Sequence, residues 1–178
     1  MNDMINITHE EHRFSADDKL KWWGYGEWVE EPDLVEFTYL GLECRIQRTA
    51  VVEPYSKEFH TFGGHLCGYV RIPSYHSYLH KLYEDMDIIC HGGLTFGEVS
   101  NGHWIGFDCG HSGDIIPSTE YLKKTNPNFT TLHKLFPLPE GFENIPWFNP
   151  TYRNVEYCTE QCMDIVNQLI ETAAEKDK

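Results

Sequence analysis

The sequence predicts an α+β fold: a twisted, mainly antiparallel sheet packed by a C-terminal amphipathic helix, with a long proline-rich arm. Three observations carry this. Apolar and polar residues alternate in short runs from Val35 to Phe107. Eleven of the 14 glycines fall between positions 41 and 113, which marks tight turns and close backbone approaches. Beyond Arg153, apolar side chains recur at three- and four-residue steps. A chain of 178 residues is long enough for one domain with a sizeable core.

Residues 1–36 form an acidic, Trp-rich first segment. Ser15 followed by Asp18 is a helix-start signal, and Gly24 and Gly26 would end that helix. Trp22, Trp23 and Trp28 are expected to cap one end of the core. Residues 37–116 form the sheet core. Val35–Tyr39 and Glu43–Gln47 alternate on either side of Gly41 and read as a hairpin. His65–Ile72 reads as a strand stopped by Pro73. Ile88–His91 and His103–Phe107 read as two more, flanking a glycine-rich connection, with a short helical or irregular excursion over Tyr75–Tyr83.

Residues 117–150 hold six of the nine prolines and predict a mostly irregular arm. Loops of that length are often functional, and Lys123, Lys124 and Lys134 lie here; a plain crossover from sheet to helix is the alternative. Residues 151–176 are the clearest helix. Val155, Cys158, Cys162, Ile165, Val166, Leu169, Ile170 and Ala173 form its apolar stripe, with Asn154 as N-cap or Asn149 before Pro150 in its place.

Composition narrows the partners. With 28 acidic against 14 basic side chains the formal net charge is -14, which opposes a broad nucleic-acid-binding surface because counterion release needs clustered Lys and Arg. A compact pocket for one small anion stays open, as does a homo-oligomer. No run approaches the roughly 18 apolar residues of a membrane span, and the polar start is unlike a secretory signal, so a cytoplasmic protein without a membrane partner is expected. Six cysteines without a C-x-x-C read as reduced thiols packed as small apolar residues. Cys158 and Cys162 stand at i, i+4 without further zinc ligands nearby.

The densest polar constellation joins His91, Gly92, Gly93 and Thr95 with Asp108, Cys109, Gly110, His111 and Asp114. Glycines leave room for a ligand to approach the backbone, while His, Thr and Asp supply directed donors and acceptors. Three chemistries compete. Asp108, His111 and Asp114, at i, i+3 and i+6, could gather around a divalent metal, the one candidate cofactor. Cys109 with His91 or His111 could form a thiolate and base. His91, Thr95, His111 and Asp114 could bind or protonate phosphate oxygens, with Arg71 or a lysine supplying charge and Trp104 or Tyr69 stacking a base. A hydrogen-bonded lock on tight turns is the structural alternative.

The segments GYGEWVEEPD (24–33), GHLCGYVRIP (64–73), HGGLTF (91–96), IGFDCGHSGD (105–114) and YRNVEYC (152–158) resemble a family of small accessory proteins of tailed bacteriophages and prophages. The resemblance spans roughly residues 24–170, and HGGLT with GFDC-x-H-x-G-D is its most specific part. Gly110 stands where the family pattern has alanine. The resemblance implies an accessory rather than a structural protein, acting in the cytoplasm of an infected host, and implies no particular activity. Phage proteins of this size often blunt host defence by trapping or cleaving nucleotide signals. The leading expectation is therefore sequestration of a nucleotide-derived small molecule. A hydrolase or phosphodiesterase using the same residues, and an acidic protein-binding inhibitor, are the alternatives.

Overall fold

The computed structural model describes residues 5–52, 61–98, 103–126 and 150–175. In chain order it contains β1 (Ile5–Glu11), α1 (Ala16–Trp23), β2 (Leu34–Tyr39), β3 (Leu42–Val52), β4 (Thr61–Arg71), β5 (Phe96–Glu98), β6 (Trp104–Asp108), α2 (Pro117–Thr125) and α3 (Val155–Glu175). Among the described residues the strands make one six-stranded sheet, ordered β1-β2-β3-β4-β6-β5, and every ladder is antiparallel. The hairpin expected at Gly41 forms there. Leu40 and Gly41 both take positive φ, the geometry of a two-residue turn whose twist matches the strands it joins.

Alternation then sorts the two sheet faces. Val35, Phe37, Cys44, Ile46, Leu66, Val70, Ile105 and Phe107 point to one face and are buried. Helix α3 lies on that face and presents Cys158, Cys162, Ile165, Val166 and Leu169, each 0–1% exposed. Burying an aliphatic side chain of this size contributes about 1.5–3 kcal/mol, so the stripe holds the helix in place. Asn154 caps it as expected, its Oδ1 accepting from the Tyr157 N–H at 3.0 Å. The N-terminal helix also starts where the sequence predicts, with the Asp18 N–H donating to Ser15 Oγ at 3.1 Å. No helix among the described residues is long and apolar enough to cross a membrane.

Four features differ from expectation. β1 forms although its side chains do not alternate in burial, because an edge strand over β2 needs only its backbone. Trp23 and Trp28 do not cap the main core; with Val29 they form a second cluster, packed by Phe14, Trp22, Ala50, Ile115 and Tyr152. The arm begins as helix α2, with Pro117 at its first position, where a missing N–H costs nothing. Lys134 and the rest of the arm over 127–149 lie outside the described residues.

Ile88–His91 is the fourth difference, and it is not a strand. The Ile89 N–H donates to Gln168 Oε1 at 2.8 Å, and Gln168 Nε2 donates back to the Ile89 carbonyl at 2.7 Å. Gln161 Oε1 accepts from the His91 N–H at 2.8 Å. Two glutamines of α3 thus satisfy backbone groups that a neighbouring strand would otherwise serve.

Candidate functional site

That pinned segment delivers His91 to the end of the sheet where β6 runs out. Gly92 and Gly93 follow with φ of +66° and +86°, turning the chain sharply. A Cβ on Gly92 would stand 2.3 Å from the His111 ring, so only glycine allows the two turns to nest. Beside Gly93 the space is open within 4 Å of such a Cβ. The second turn leaves β6 at Asp108. The Gly110 N–H donates to Asp108 Oδ1 at 2.9 Å, and the His111 N–H to Asp114 Oδ2 at 3.1 Å, which folds the run into a loop facing His91. A bridge between Asp114 and Thr151 fastens this loop to the approach of α3.

Asp114 is the hub. Its side chain is 1% exposed; Oδ2 lies 2.7 Å from His91 Nε2, and Oδ1 accepts from Arg153 Nε at 3.0 Å. The other His91 nitrogen, Nδ1, lies 2.9 Å from the Tyr157 hydroxyl. Arg153 stacks its guanidinium over the Tyr157 ring, 4.6 Å from the centroid. Tyr157, His91, Asp114 and Arg153 therefore form one continuous chain of polar contacts, which fixes the imidazole's orientation.

His111 completes the cluster in a different way. Its Nδ1 lies 3.8 Å from both Asp108 Oδ1 and Asp114 Oδ2 and makes no hydrogen bond among the described residues. The ring packs edge-on against His91 at 5.4 Å. Burial would raise the Asp108 carboxyl, but the Gly110 N–H, the Thr95 hydroxyl and the imidazoles of His111 and His65 outweigh it and hold the group below its ordinary range. Burial pushes the neighbouring His65 imidazole down, against the pull of Asp108 and Asp114. Asp108 is thus a standing anion at neutral pH.

His91, His111 and Asp114 each offer one ligand atom, all within 4.8 Å of one another. Donors about 2.1 Å from a tetrahedral ion stand about 3.4 Å apart. The 2.7 and 3.8 Å separations from Asp114 Oδ2 bracket that value, and an ion entering the set would replace the direct His91–Asp114 contact. Two imidazoles and a carboxylate suit zinc and other first-row divalent ions. Of the metal set expected from sequence, His111 and Asp114 come together and His91 joins them, while Asp108, whose Oδ1 lies 3.8 Å from His111 Nδ1, accepts from the Gly110 N–H and the Thr95 hydroxyl.

No protein-family model, curated protein or solved structure matches the chain.

Several expected members fall elsewhere. Cys109 is 1% exposed, with its Sγ 3.7 Å from that of Cys158, and this contact together with burial drives its thiol far above the usual range. It is a core residue and not a nucleophile. Arg71 and Trp104 pair with each other across β4 and β6, four residues from the Cys67–Asp108 pair, at the opposite end of the ladder. Arg71 is held there by Glu43 at 2.9 Å, and Lys123 by Glu120 at 2.6 Å, so neither brings charge to His91. Sequence reasoning missed Arg153, Tyr157 and His65. The first two sit in the YRNVEYC segment, where a cation and a phenol just ahead of an apolar helical stripe were the available signal.

Proposed function

We propose that the chain is a metal-assisted hydrolase acting on a phosphoester of a nucleotide-derived small molecule, in a phage accessory role that blunts host defence. The observation that carries this reading is the convergence of His91, His111 and Asp114 beside the ionised Asp108. Two carboxylates against the single guanidinium of Arg153 leave the cluster short of positive charge for a phosphate, and a divalent cation between the imidazoles and Asp114 would supply it. Such an ion lowers the pKa of a bound water to about 7. Were an ion held there, Asp108, whose Oδ1 lies 3.8 Å from His111 Nδ1, would be the carboxylate to accept a proton from the water it activates. The water oxygen forms the new bond to phosphorus, the ester P–O bond breaks, and the departing oxygen takes a proton from solvent.

One observation favours a second reading, sequestration without cleavage. Both ring nitrogens of His91 are already engaged, by Tyr157 and Asp114, so the ring is braced more than it is free to move protons. A single experiment separates the two. Protein loaded with zinc or manganese is incubated with cyclic dinucleotides and ADP-ribose derivatives, then denatured and its small molecules analysed. Altered ligand supports the hydrolase, intact captured ligand supports sequestration, and absence of both capture and change rejects the nucleotide reading.

A further inference from the structure

The sheet face away from α3 carries its own feature. Arg45, Gln47, Tyr69, Phe96, Glu98 and Trp104 line a groove of about 180 Å³ there. Tyr69 and Phe96 meet edge to face at 5.3 Å above Gly106, where a Cβ would stand 2.5 Å from the Tyr69 ring. Glycine at that position lets the two rings settle over the sheet. Trp104 is covered on one side by the Arg45 guanidinium, 5.1 Å from the ring centroid, and Glu36 Oε1 fixes that guanidinium from 2.7 Å. Three aromatic rings and a planar cation converging on one groove form a stacking environment for a flat ring.

We infer that this groove binds the planar base of a nucleoside monophosphate whose phosphate reaches the His91–His111–Asp114 site. The inference rests on the proposed function and names how that site's ligand is held. The groove falls below the roughly 300 Å³ of pockets that enclose whole drug-sized ligands, so it has room for one ring system and the remainder must continue outward. The ladder sets the direction. Gly106 lies between Tyr69 and Phe96, and Asp108 follows two residues further along β6 on the same face. At about 3.3 Å per residue that is a step of about 7 Å to Asp108, whose Oδ1 lies 3.8 Å from His111 Nδ1, so the path to the cluster takes a sugar and its phosphate together. The Thr95 hydroxyl, hydrogen-bonded to Asp108, lies along this route. Charge selects a mononucleotide over a polymer: Arg45 is neutralised by Glu36, and the net charge of -14 opposes a polyanion.

Calorimetric binding of AMP, GMP, CMP and UMP to the full chain tests this, with ribose 5-phosphate as the probe that has sugar and phosphate but no base. At least one nucleotide is expected to bind at least tenfold more tightly than ribose 5-phosphate. Phe96→Leu and Trp104→Leu should each weaken that nucleotide roughly 5- to 100-fold while ribose 5-phosphate binding stays unchanged. Phe96 is 37% exposed, so its variant should melt like the parent, and the melting curve checks this. The inference is overturned if no nucleotide outperforms ribose 5-phosphate, or if both folded variants bind as the parent does. Repeating the titration with the corresponding nucleoside and Asp114→Asn keeps the two readings apart. Loss of metal in Asp114→Asn, with nucleotide affinity falling to that of the nucleoside and nucleoside binding kept, is the expected result; metal lost with nucleotide affinity unchanged would leave the groove standing while removing metal-bound phosphate from the account.

Discussion

His91 Nε2 stands 2.7 Å from an Asp114 carboxylate that is 1% exposed, although the two lie 23 residues apart in sequence. Elements far apart in the chain meet at this contact: the segment pinned by Gln161, the loop leaving β6, and the start of α3 through Arg153. The imidazole is oriented by Asp114 and Tyr157 together, so removing the carboxylate disturbs several members of the cluster at once.

Asp114→Asn keeps the shape and removes the charge. The variant is expected to hold less than about 0.1 equivalent of divalent metal by elemental analysis and to lose at least about 100-fold of any hydrolytic rate. Its stability should fall by about 1–3 kcal/mol in urea titrations, the cost of weakening a buried charge-assisted hydrogen bond. Stoichiometric metal in the folded variant would show that the ion is not held by this carboxylate.

Gly92→Ala tests the nesting of the two turns. Alanine at φ +66° is strained by about 1–3 kcal/mol, and its Cβ would overlap the His111 ring. The ring must move, so metal affinity should drop at least tenfold while the circular dichroism spectrum is kept. Gly93→Ala is the control: its φ is equally left-handed, but no atom lies within 4 Å of the new Cβ. A comparable melting-temperature loss in both, with metal binding lost only in Gly92→Ala, assigns the effect to His111.

Periodicity made most of the fold readable. The α3 stripe, the Gly41 hairpin and the Ser15 cap each follow a local rule, and local rules survive into the tertiary structure. β1 was not readable, because a solvated edge strand needs neither an apolar face nor a turn signal. Ile88–His91 misled because an apolar run resembles a strand whether its backbone is served by a neighbouring strand or by Gln161 and Gln168. The candidate cluster was legible in its residue types: His91, His111 and Asp114 stand in two glycine-flanked polar runs, and the structure brings these three side chains together. Arg153 and Tyr157 act through contacts spanning 39 and 66 residues, which no spacing rule encodes. In sequence Arg71 offers only its charge, and only the sheet register places it at the far end of the ladder from Asp108.

A buried charge cluster offers a stability test independent of the site. Lys19 Nζ and Arg48 Nε lie 2.9 and 2.7 Å from Asp33 Oδ1, with all three side chains fully buried. Arg48 also reaches Glu31 Oε2 at 3.0 Å and donates to the Tyr152 hydroxyl at 2.8 Å, while Glu31 Oε1 accepts from the Val155 N–H that opens α3. Asp33→Ala leaves two buried cations facing each other and should cost about 3–5 kcal/mol in urea unfolding. Tyr152→Phe removes a neutral hydroxyl that accepts from Arg48 and donates to Glu31 Oε2 at 2.6 Å, and should cost less, about 1.5–3 kcal/mol. Equal effects would mean that the charges are better hydrated than their burial implies.

The last prediction concerns His65, whose imidazole burial pushes below its ordinary value of 6.5. It packs beside Gly110 and contacts Thr49 Oγ1, 3.2 Å from its Nδ1. In the unfolded chain His65 takes a proton as the pH falls through about 6.5, whereas in the folded chain it resists until lower pH. Over that window the unfolded state binds more protons, so stability rises with pH and is lost on acidification. Asp108 acts lower down: its folded carboxyl titrates below its ordinary value of 3.8, so its contribution persists through pH 5 and is lost only as pH falls through the folded value. Urea midpoints of chelator-treated protein at pH 7.5, 6.5 and 5.5 should therefore decline. His65→Gln, which cannot titrate, should decline less over the same steps. If the variant loses as much stability between pH 7.5 and 5.5 as the parent, His65 is not the proton-linked group, and the acid sensitivity belongs to another histidine.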